Sequence, residues 1–184
     1  LGKNIRKIIW IEANPDKFEF IEKKINQYKE MYLGKFAAGF IEKKSLLNIA
    51  SNGQSSSLLD LGTHKVDYPK IKYVQSKEVI IKPLDKWIEE NYLERKFYNF
   101  INIDIQGYEL EALKGMTKQF EFLDYIYLEV NYREVYKNCS QLKDIDKFLN
   151  KYNFYRVGMY RTNKGWGDAI YVKQAIPLFK IYYS

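Results

Sequence analysis

The chain has 184 residues, of which 46% are hydrophobic and 29% are charged, so it can bury a core and is not expected to be disordered. No apolar run approaches the roughly 20 residues that a membrane-spanning helix needs. The formal net charge is +7, but the lysines are scattered along the chain, which favours a solvated surface over a nucleic-acid-binding face.

The first predicted unit is a strand followed by a helix. Residues 8–11 form a short continuous apolar run, which is typical of a strand that is covered on both faces. Asn14 is a good N-cap and Pro15 suits the first helical position, so a helix is expected from there to Tyr28. Two further strands are predicted next, over residues 35–41 and 45–51.

Residues 52–76 are predicted to be a long loop that is rich in turn-forming and hydroxyl residues. Loops of this length in compact domains are usually functional or disordered, so we expect this one to be an active-site loop. It carries Ser57 and His64, the only histidine of the chain. A strand and then a helix are predicted after it, within residues 78–92.

In the second half of the chain, strands alternate with helices before a closing hairpin. Strands are predicted over residues 99–104, 125–130, 153–160 and 167–173, and helices over 108–120 and after Ser140, the expected N-cap. A short turn separates the last two strands, so they should pair in antiparallel fashion. The alternation indicates an α/β fold with a mostly parallel sheet, in which ligands bind beyond the carboxyl ends of the strands.

Three of the predicted strands end in an acid: Glu12, Asp104 and Glu129. A carboxylate in such a place is costly unless it is hydrogen-bonded, paired or exposed to water. A helix cap or a salt bridge would explain any one of them, but the three together are better explained by a shared rim of the sheet. Glu12 has the most definite chemistry, because an acid that closes the second strand of a Rossmann-like unit can accept both ribose hydroxyls of an adenosine cofactor.

One segment carries a resemblance to a known family. INIDIQGYELEALKG (101–115), with IWIEANP upstream and YIYLEVNY and GDAIYVK downstream, resembles the FkbM family of S-adenosylmethionine-dependent methyltransferases. Two features depart from the family pattern. Gln106 stands where the family commonly has an acid, and the family's glycine-rich first motif does not occur. We expect that motif to lie upstream, because the chain has no initiator Met and only eleven residues precede Glu12.

The resemblance implies a Rossmann-like class I methyltransferase sheet, mostly parallel with an antiparallel C-terminal hairpin strand. We expect residues 1–184 to form one such domain that is incomplete at its N-terminus and lacks the first strand. The implied cofactor is S-adenosyl-L-methionine, and the implied acceptor is a hydroxyl of a sugar, glycan or related small molecule. The expected cofactor-binding residues are Glu12 at the ribose, Ala13 and Asn14 beside the adenosine, Gln106 near the methionine end, and Ser57.

The predicted catalytic residues are Asp104, Glu129 and His64, each of which could take the proton of the acceptor hydroxyl. An unperturbed histidine pKa near 6.5 suits such a base, although a lone histidine in a loop is more often structural. Asp104 and Glu129 could also share a divalent cation, but two carboxylates without a third ligand are weak evidence, so no metal site is predicted. Trp166 lies near the expected acceptor rim, where it either packs the turn or stacks on a sugar ring.

Two other functions are compatible with the sequence. The net charge permits an RNA methyltransferase, although the scattered lysines argue against it. A catalytically degenerate methyltransferase fold that serves as a binding module would become the better hypothesis if the glycine-rich motif is absent from the whole protein. The single cysteine, Cys139, cannot form an internal disulfide, so we expect a small buried side chain and a reducing, cytoplasmic location.

Overall fold

Strands and helices alternate along residues 7–174, the part of the chain that the computed structural model describes. The strands are β1 (Ile8–Glu12), β2 (Met31–Lys35), β3 (Ala37–Ala38), β4 (Lys43–Ala50), β5 (Tyr73–Lys82), β6 (Phe100–Ile103), β7 (Tyr125–Asn131), β8 (Phe154–Arg161) and β9 (Trp166–Lys173). The helices are α1 (Phe18–Ile25), α2 (His64–Asp67), α3 (Leu84–Glu90), α4 (Glu109–Lys114) and α5 (Leu142–Asn150).

The strands pair in three groups, one parallel and two mixed. β1 pairs with β2 in parallel, and β5 lies between a parallel β3 and an antiparallel β4. The largest group has the order β6-β7-β9-β8, in which β6 and β7 are parallel while β9 is antiparallel to both of its neighbours. The α/β fold and the closing antiparallel hairpin are therefore as predicted. The sheet was predicted to be mostly parallel, whereas the long β4–β5 pair adds an antiparallel ribbon.

The main core lies between helices α3, α4 and α5 and one face of the four-stranded group. Along β7, Ile126, Leu128 and Val130 point into this core and are fully buried. Each such side chain contributes about 1.5–3 kcal/mol by leaving water. Because side chains alternate along a strand, Glu129 points to the opposite face of the group. The core packing of β7 thereby fixes the direction of this carboxyl group.

β1 and β6 border one cavity. Each strand pairs on one side only within the described residues, with β2 and β7 respectively. Residues Ile8–Glu12 and Phe100–Ile103 all line a cavity of about 1120 Å³, whose wall also includes the apolar side chains of Phe36, Leu84 and Met116. The cavity therefore runs along the whole length of both strands.

Several predicted boundaries differ from the structure. The strand expected over 35–41 is instead β2 at 31–35 and the two-residue β3. β2 begins earlier because it pairs closely with β1: a Cβ on Gly34 would be 2.6 Å from Ile11 Cδ1. The helix expected over 108–120 ends at Lys114, where Gly115 packs against a backbone carbonyl, and a short 3-10 turn follows later. Ser140 does not cap α5, since that helix begins after Gln141; its Oγ accepts a hydrogen bond from the Leu110 amide instead.

The loop predicted over 52–76 is shorter and more ordered than its composition indicates. It ends where β5 begins at Tyr73, and it contains the short helix α2. Backbone hydrogen bonds attach it to the segment after β7, from Gly62 to Val135 (2.9 Å) and from Thr63 to Glu134 (2.8 Å). The loop is therefore held against the carboxyl end of β7. Among residues 7–174, no helix is both long and apolar enough to span a membrane.

Candidate functional site

The cavity between β1 and β6 brings together most of the side chains that the sequence indicated. The predicted site residues on its wall are Glu12, Ala13, Asn14, Ser57, Asp104 and Gln106. Two others, Glu129 and His64, lie outside this lining. Glu129 is connected to it by a hydrogen bond from Gln106.

The turn after β1 fixes the carboxylate of Glu12. Glu12 Oε1 accepts a hydrogen bond from the Asn14 amide at 2.7 Å, and Asn14 Oδ1 in turn accepts one from the Asp16 amide at 3.1 Å. Glu12 Oε2 lies 3.9 Å from Lys17 Nζ, a distance too long for a hydrogen bond. One carboxylate oxygen is thus oriented by the protein and the other keeps capacity to accept hydrogen bonds from a ligand in the cavity.

Asp104 and Glu129 are joined through Gln106. Gln106 Nε2 donates to Asp104 Oδ1 at 2.5 Å and to Glu129 Oε2 at 3.3 Å. The Tyr136 hydroxyl donates to Gln106 Oε1, and Ser57 Oγ donates to the Gln106 carbonyl oxygen at 2.7 Å. Residues from the long loop, the end of β6, the end of β7 and the segment after it therefore meet at one glutamine.

The surroundings of Glu129 favour its protonated form. Its side chain is buried, and burial, followed by the negative charges of Glu109, Asp104 and Asp168, raises its pKa to about 9. Burial also raises the pKa of Asp168, its partner across the β7–β9 pair. At neutral pH Glu129 therefore carries a proton.

Glu109 lies beneath this cluster and is fully buried. Its Oε1 accepts hydrogen bonds from the amides of Gly107 (3.0 Å) and Ile105 (3.3 Å). Burial raises its pKa to about 7, and its Oε2 has no hydrogen-bond partner among the described residues. Glu109 shapes the turn that carries Gln106, and its charge acts on Glu129.

His64 is buried away from the cavity. Its Nε2 lies 3.2 Å from Ser55 Oγ, and its ring packs against those of Tyr68 and Tyr136, with centroids 4.9 and 5.5 Å away. Burial lowers the pKa of the imidazole despite the nearby charge of Asp67, so the ring is neutral at pH 7. Tyr136, which packs against this ring, also donates to Gln106 beside the acids, and the role of His64 as a base stays a prediction.

Trp166 and Cys139 belong to a small apolar cluster behind the site. Trp166 packs against buried Val135, Tyr136 and Cys139, and its indole nitrogen donates to the Tyr68 hydroxyl at 3.2 Å. Turn packing thus accounts for Trp166. Within residues 7–174, no group of three or more His, Cys, Asp and Glu side chains is arranged to hold a metal ion.

Two features of the site escaped the sequence analysis. Asp168 lies opposite Glu129 across the β7–β9 pair, and the turn between β8 and β9 does not fix the register of that pair. Tyr136 reaches Gln106 from thirty residues further along the chain, and no local pattern indicates that contact.

Comparison with known proteins gives two matches to one family. The model of the Methyltransferase FkbM domain matches residues 1–155. The crystal structure of methyltransferase FkbM from Methylobacillus flagellatus KT resembles this fold with a TM-score of 0.55 at 13% sequence identity. The similar region covers 91% of this chain and 36% of that one, so the chain spans about a third of the solved protein's length. None of the curated proteins compared with the chain matches it.

Proposed function

Because the chain belongs to the family of FkbM methyltransferase domains, we propose that it acts as an S-adenosylmethionine-dependent O-methyltransferase. The proposed acceptor is a hydroxyl of a sugar, glycan or related small molecule. One observation supports this most: Glu12 and Asp104, from the ends of two different strands, line the same cavity. Such a reaction needs one carboxylate that binds the nucleoside, here Glu12, and one that acts as a base, here Asp104, in the same cavity.

The turn after β1 is the proposed adenosine site. The second oxygen of Glu12 is free to accept hydrogen bonds from a ribose, while Ala13 and Asn14 line the adjoining wall. Ser57 and Gln106 border the cavity nearer Asp104, where we place the methionine end of the cofactor. When bound, S-adenosylmethionine supplies a methyl group that is already activated by its sulfonium.

The acid pair is the proposed proton acceptor. Asp104 is exposed at the cavity, so its carboxylate can take the hydroxyl proton as the new O–C bond forms and the S–C bond breaks, and can then release that proton to water. A positioned base typically accelerates such a step by about 10²–10⁴-fold. Glu129 lies beside it in the protonated form, so it adds no negative charge next to Asp104. We propose Glu129 and His64 as further catalytic residues that support proton removal by Asp104.

The cavity also supports a proposal about the rest of the domain. The free edges of β1 and β6 both face it, and unpaired strand edges are templates for a further strand. We propose that a first strand of a Rossmann-like class I methyltransferase sheet occupies part of this space in the longer protein, so that residues 1–184 are one part of that domain. The antiparallel β9 between β7 and β8 agrees with such a sheet.

RNA is the weaker acceptor hypothesis because many basic side chains are paired. Lys35, Lys44 and Lys82, for example, each lie within 4.0 Å of a glutamate carboxylate. Paired lysines offer less to a phosphate backbone than a clustered basic face would. A cytoplasmic location is also part of the proposal, and the buried free thiol of Cys139 is consistent with it.

The experiment that tests this function incubates the full-length protein with S-adenosylmethionine and RNA in one reaction. A parallel reaction contains a panel of sugars, nucleotide sugars and short glycans. Mass spectrometry should detect one added methyl group on at least one of them, on oxygen, with Asp104→Asn as the inactive control. Transfer only to RNA would replace the acceptor proposed here. Cofactor binding without transfer to any acceptor would favour the degenerate binding module.

A further inference from the structure

All the hydrogen-bonding groups of the Gln106 side chain have partners. Its Nε2 reaches the carboxyl groups of Asp104 and Glu129, and its Oε1 accepts from the Tyr136 hydroxyl. Its own carbonyl oxygen accepts from Ser57 Oγ. A glutamine that only borders a cavity does not need this many hydrogen bonds, so these contacts indicate that Gln106 has a specific role in the site.

We infer that Gln106 is a positioning residue whose carboxamide holds the carboxyl groups of Asp104 and Glu129 side by side, and that Tyr136 fixes the orientation of this amide. The inference rests on the proposed function only in the role that the acid pair plays there. Gln106 thus orients the two carboxyl groups, in addition to lining the cofactor side of the cavity.

Tyr136 determines which end of the amide faces the acids. The tyrosine is fully buried, and burial raises the pKa of its phenol, so the hydroxyl keeps its proton and donates. Gln106 Oε1 accepts this hydrogen bond, which leaves the NH₂ group for the carboxyls. In the opposite orientation the amide oxygen would face the oxygens of both carboxyl groups, and the Tyr136 hydroxyl would lose its acceptor.

The backbone at Gln106 is held in an unfavourable conformation. Its φ angle is 56°, in the left-handed region that costs a residue with a side chain about 1–2 kcal/mol. The next residue, Gly107, has a φ of 101°, and a Cβ there would lie 2.9 Å from Cys139 Cβ. The two conformations together direct the Gln106 side chain back toward the ends of β6 and β7, and the Ser57 hydrogen bond fixes them.

The charges around the pair explain why a donor is needed. Four groups from other elements face Glu129: Asp104 after β6, Asp168 of β9, Glu109 of α4 and the Tyr136 phenol of the segment after β7. Each of the three other acids raises the pKa of Glu129, whereas the hydrogen bond from Gln106 lowers it. Removal of the Gln106 donor should therefore raise that pKa further.

The test follows the Glu129 carboxyl carbon by NMR through a pH titration. The variants are Gln106→Met, which keeps the length of the side chain without its donor, and Tyr136→Phe, which frees the amide to rotate. We expect the titration midpoint of Glu129 to rise by about one pH unit or more in Gln106→Met and by less in Tyr136→Phe. Tyr171→Phe is the matched control, since Tyr171 is equally buried but its hydroxyl donates to Asp146.

An unchanged Glu129 midpoint in Gln106→Met would overturn the inference, and so would an equal rise in Tyr171→Phe. If Gln106→Met does not fold, the comparison of Tyr136→Phe with Tyr171→Phe decides alone. Binding of S-adenosylhomocysteine to the wild type is measured separately, on the full-length protein. Its absence would count against the proposed function, while the titrations would still decide the role of Gln106.

Discussion

Asp104, directly after β6, lies beside Glu129 of the parallel strand β7, one residue beyond the Ile103–Leu128 pair. Asp104 is exposed to the cavity and Glu129 is buried against further acids. Burial and the neighbouring acids favour the protonated form of Glu129, whereas Asp104 is the acid that faces the cavity, which suits Asp104 to act as the base.

Asp104→Asn should abolish most of the methyl transfer while the protein stays folded. The amide keeps the size of the side chain but cannot take the hydroxyl proton, so turnover should fall about 10²–10⁴-fold. Steady-state kinetics with the acceptor found in the panel would measure this. Asp124→Asn is the control, because Asp124 also lines the cavity but lies before β7, at the opposite end; an equal loss there would contradict the role of Asp104.

Glu109→Gln should stabilise the protein increasingly as the pH rises. The folded-state pKa of about 7 exceeds the ordinary value of 4.5, so ionisation of Glu109 costs the folded state stability between roughly pH 5 and pH 7. Glutamine can keep both hydrogen bonds to the amides of Gly107 and Ile105 through its Oε1. Urea unfolding at pH 5 and pH 8 would measure the difference, which should reach up to about 3 kcal/mol; a difference that does not change with pH would contradict the burial of a charged Glu109.

His64→Phe should separate a structural histidine from a catalytic one. Burial lowers the folded-state pKa, so the unfolded chain takes up a proton below about pH 6.5 that the folded protein does not. The wild type should therefore lose stability as the pH falls below that value, and the variant, whose ring can keep the contacts with Tyr68 and Tyr136, should not. Turnover of the variant then shows whether His64 also serves the reaction; the same acid sensitivity in both proteins would contradict the buried neutral ring.

Gly62→Ala should loosen the loop that carries Ser57. An added Cβ would lie 2.2 Å from the carbonyl oxygen of Glu134, at the place where this loop is hydrogen-bonded to the segment after β7. The loss of unfolding free energy should be about 1–3 kcal/mol, as for other overpacked positions. Gly158→Ala is the control because its Cβ would meet only a side chain, at 3.1 Å. Thermal unfolding compares them, and equal melting temperatures would show that the loop is not held at Gly62.

The elements that the sequence predicted well are those with a strong local pattern. β1, β6 and β7 are short apolar runs, and their terminal acids could be assigned to the ends of strands before any pairing was known. β2 escaped because residues 31–35 have no regular alternation and depend on their pairing with β1. The grouping of the strands had no local signal in the sequence, because strand pairing is a long-range property.

Sequence patterns could predict a site residue only where its position is set by the strand that it directly follows. Glu12 and Asp104 follow their strands directly, and both line the cavity. The bridge made by Gln106 depends on a left-handed backbone angle and on Tyr136, neither of which has a local signal. The raised pKa of Glu129 depends on its burial and on the charges of Glu109, Asp104 and Asp168, which come from other elements.

Calorimetric titration of the full-length protein with S-adenosylhomocysteine tests the central claim, that one cavity binds the cofactor with Glu12 at its ribose. The wild type should bind one equivalent, and Glu12→Gln should weaken binding about tenfold or more, because a charge-assisted hydrogen bond to each hydroxyl is lost. Glu19→Gln, which removes an exposed acid of α1, should leave the affinity unchanged. No binding to the wild type, or equal affinity in the wild type and Glu12→Gln, would contradict the account.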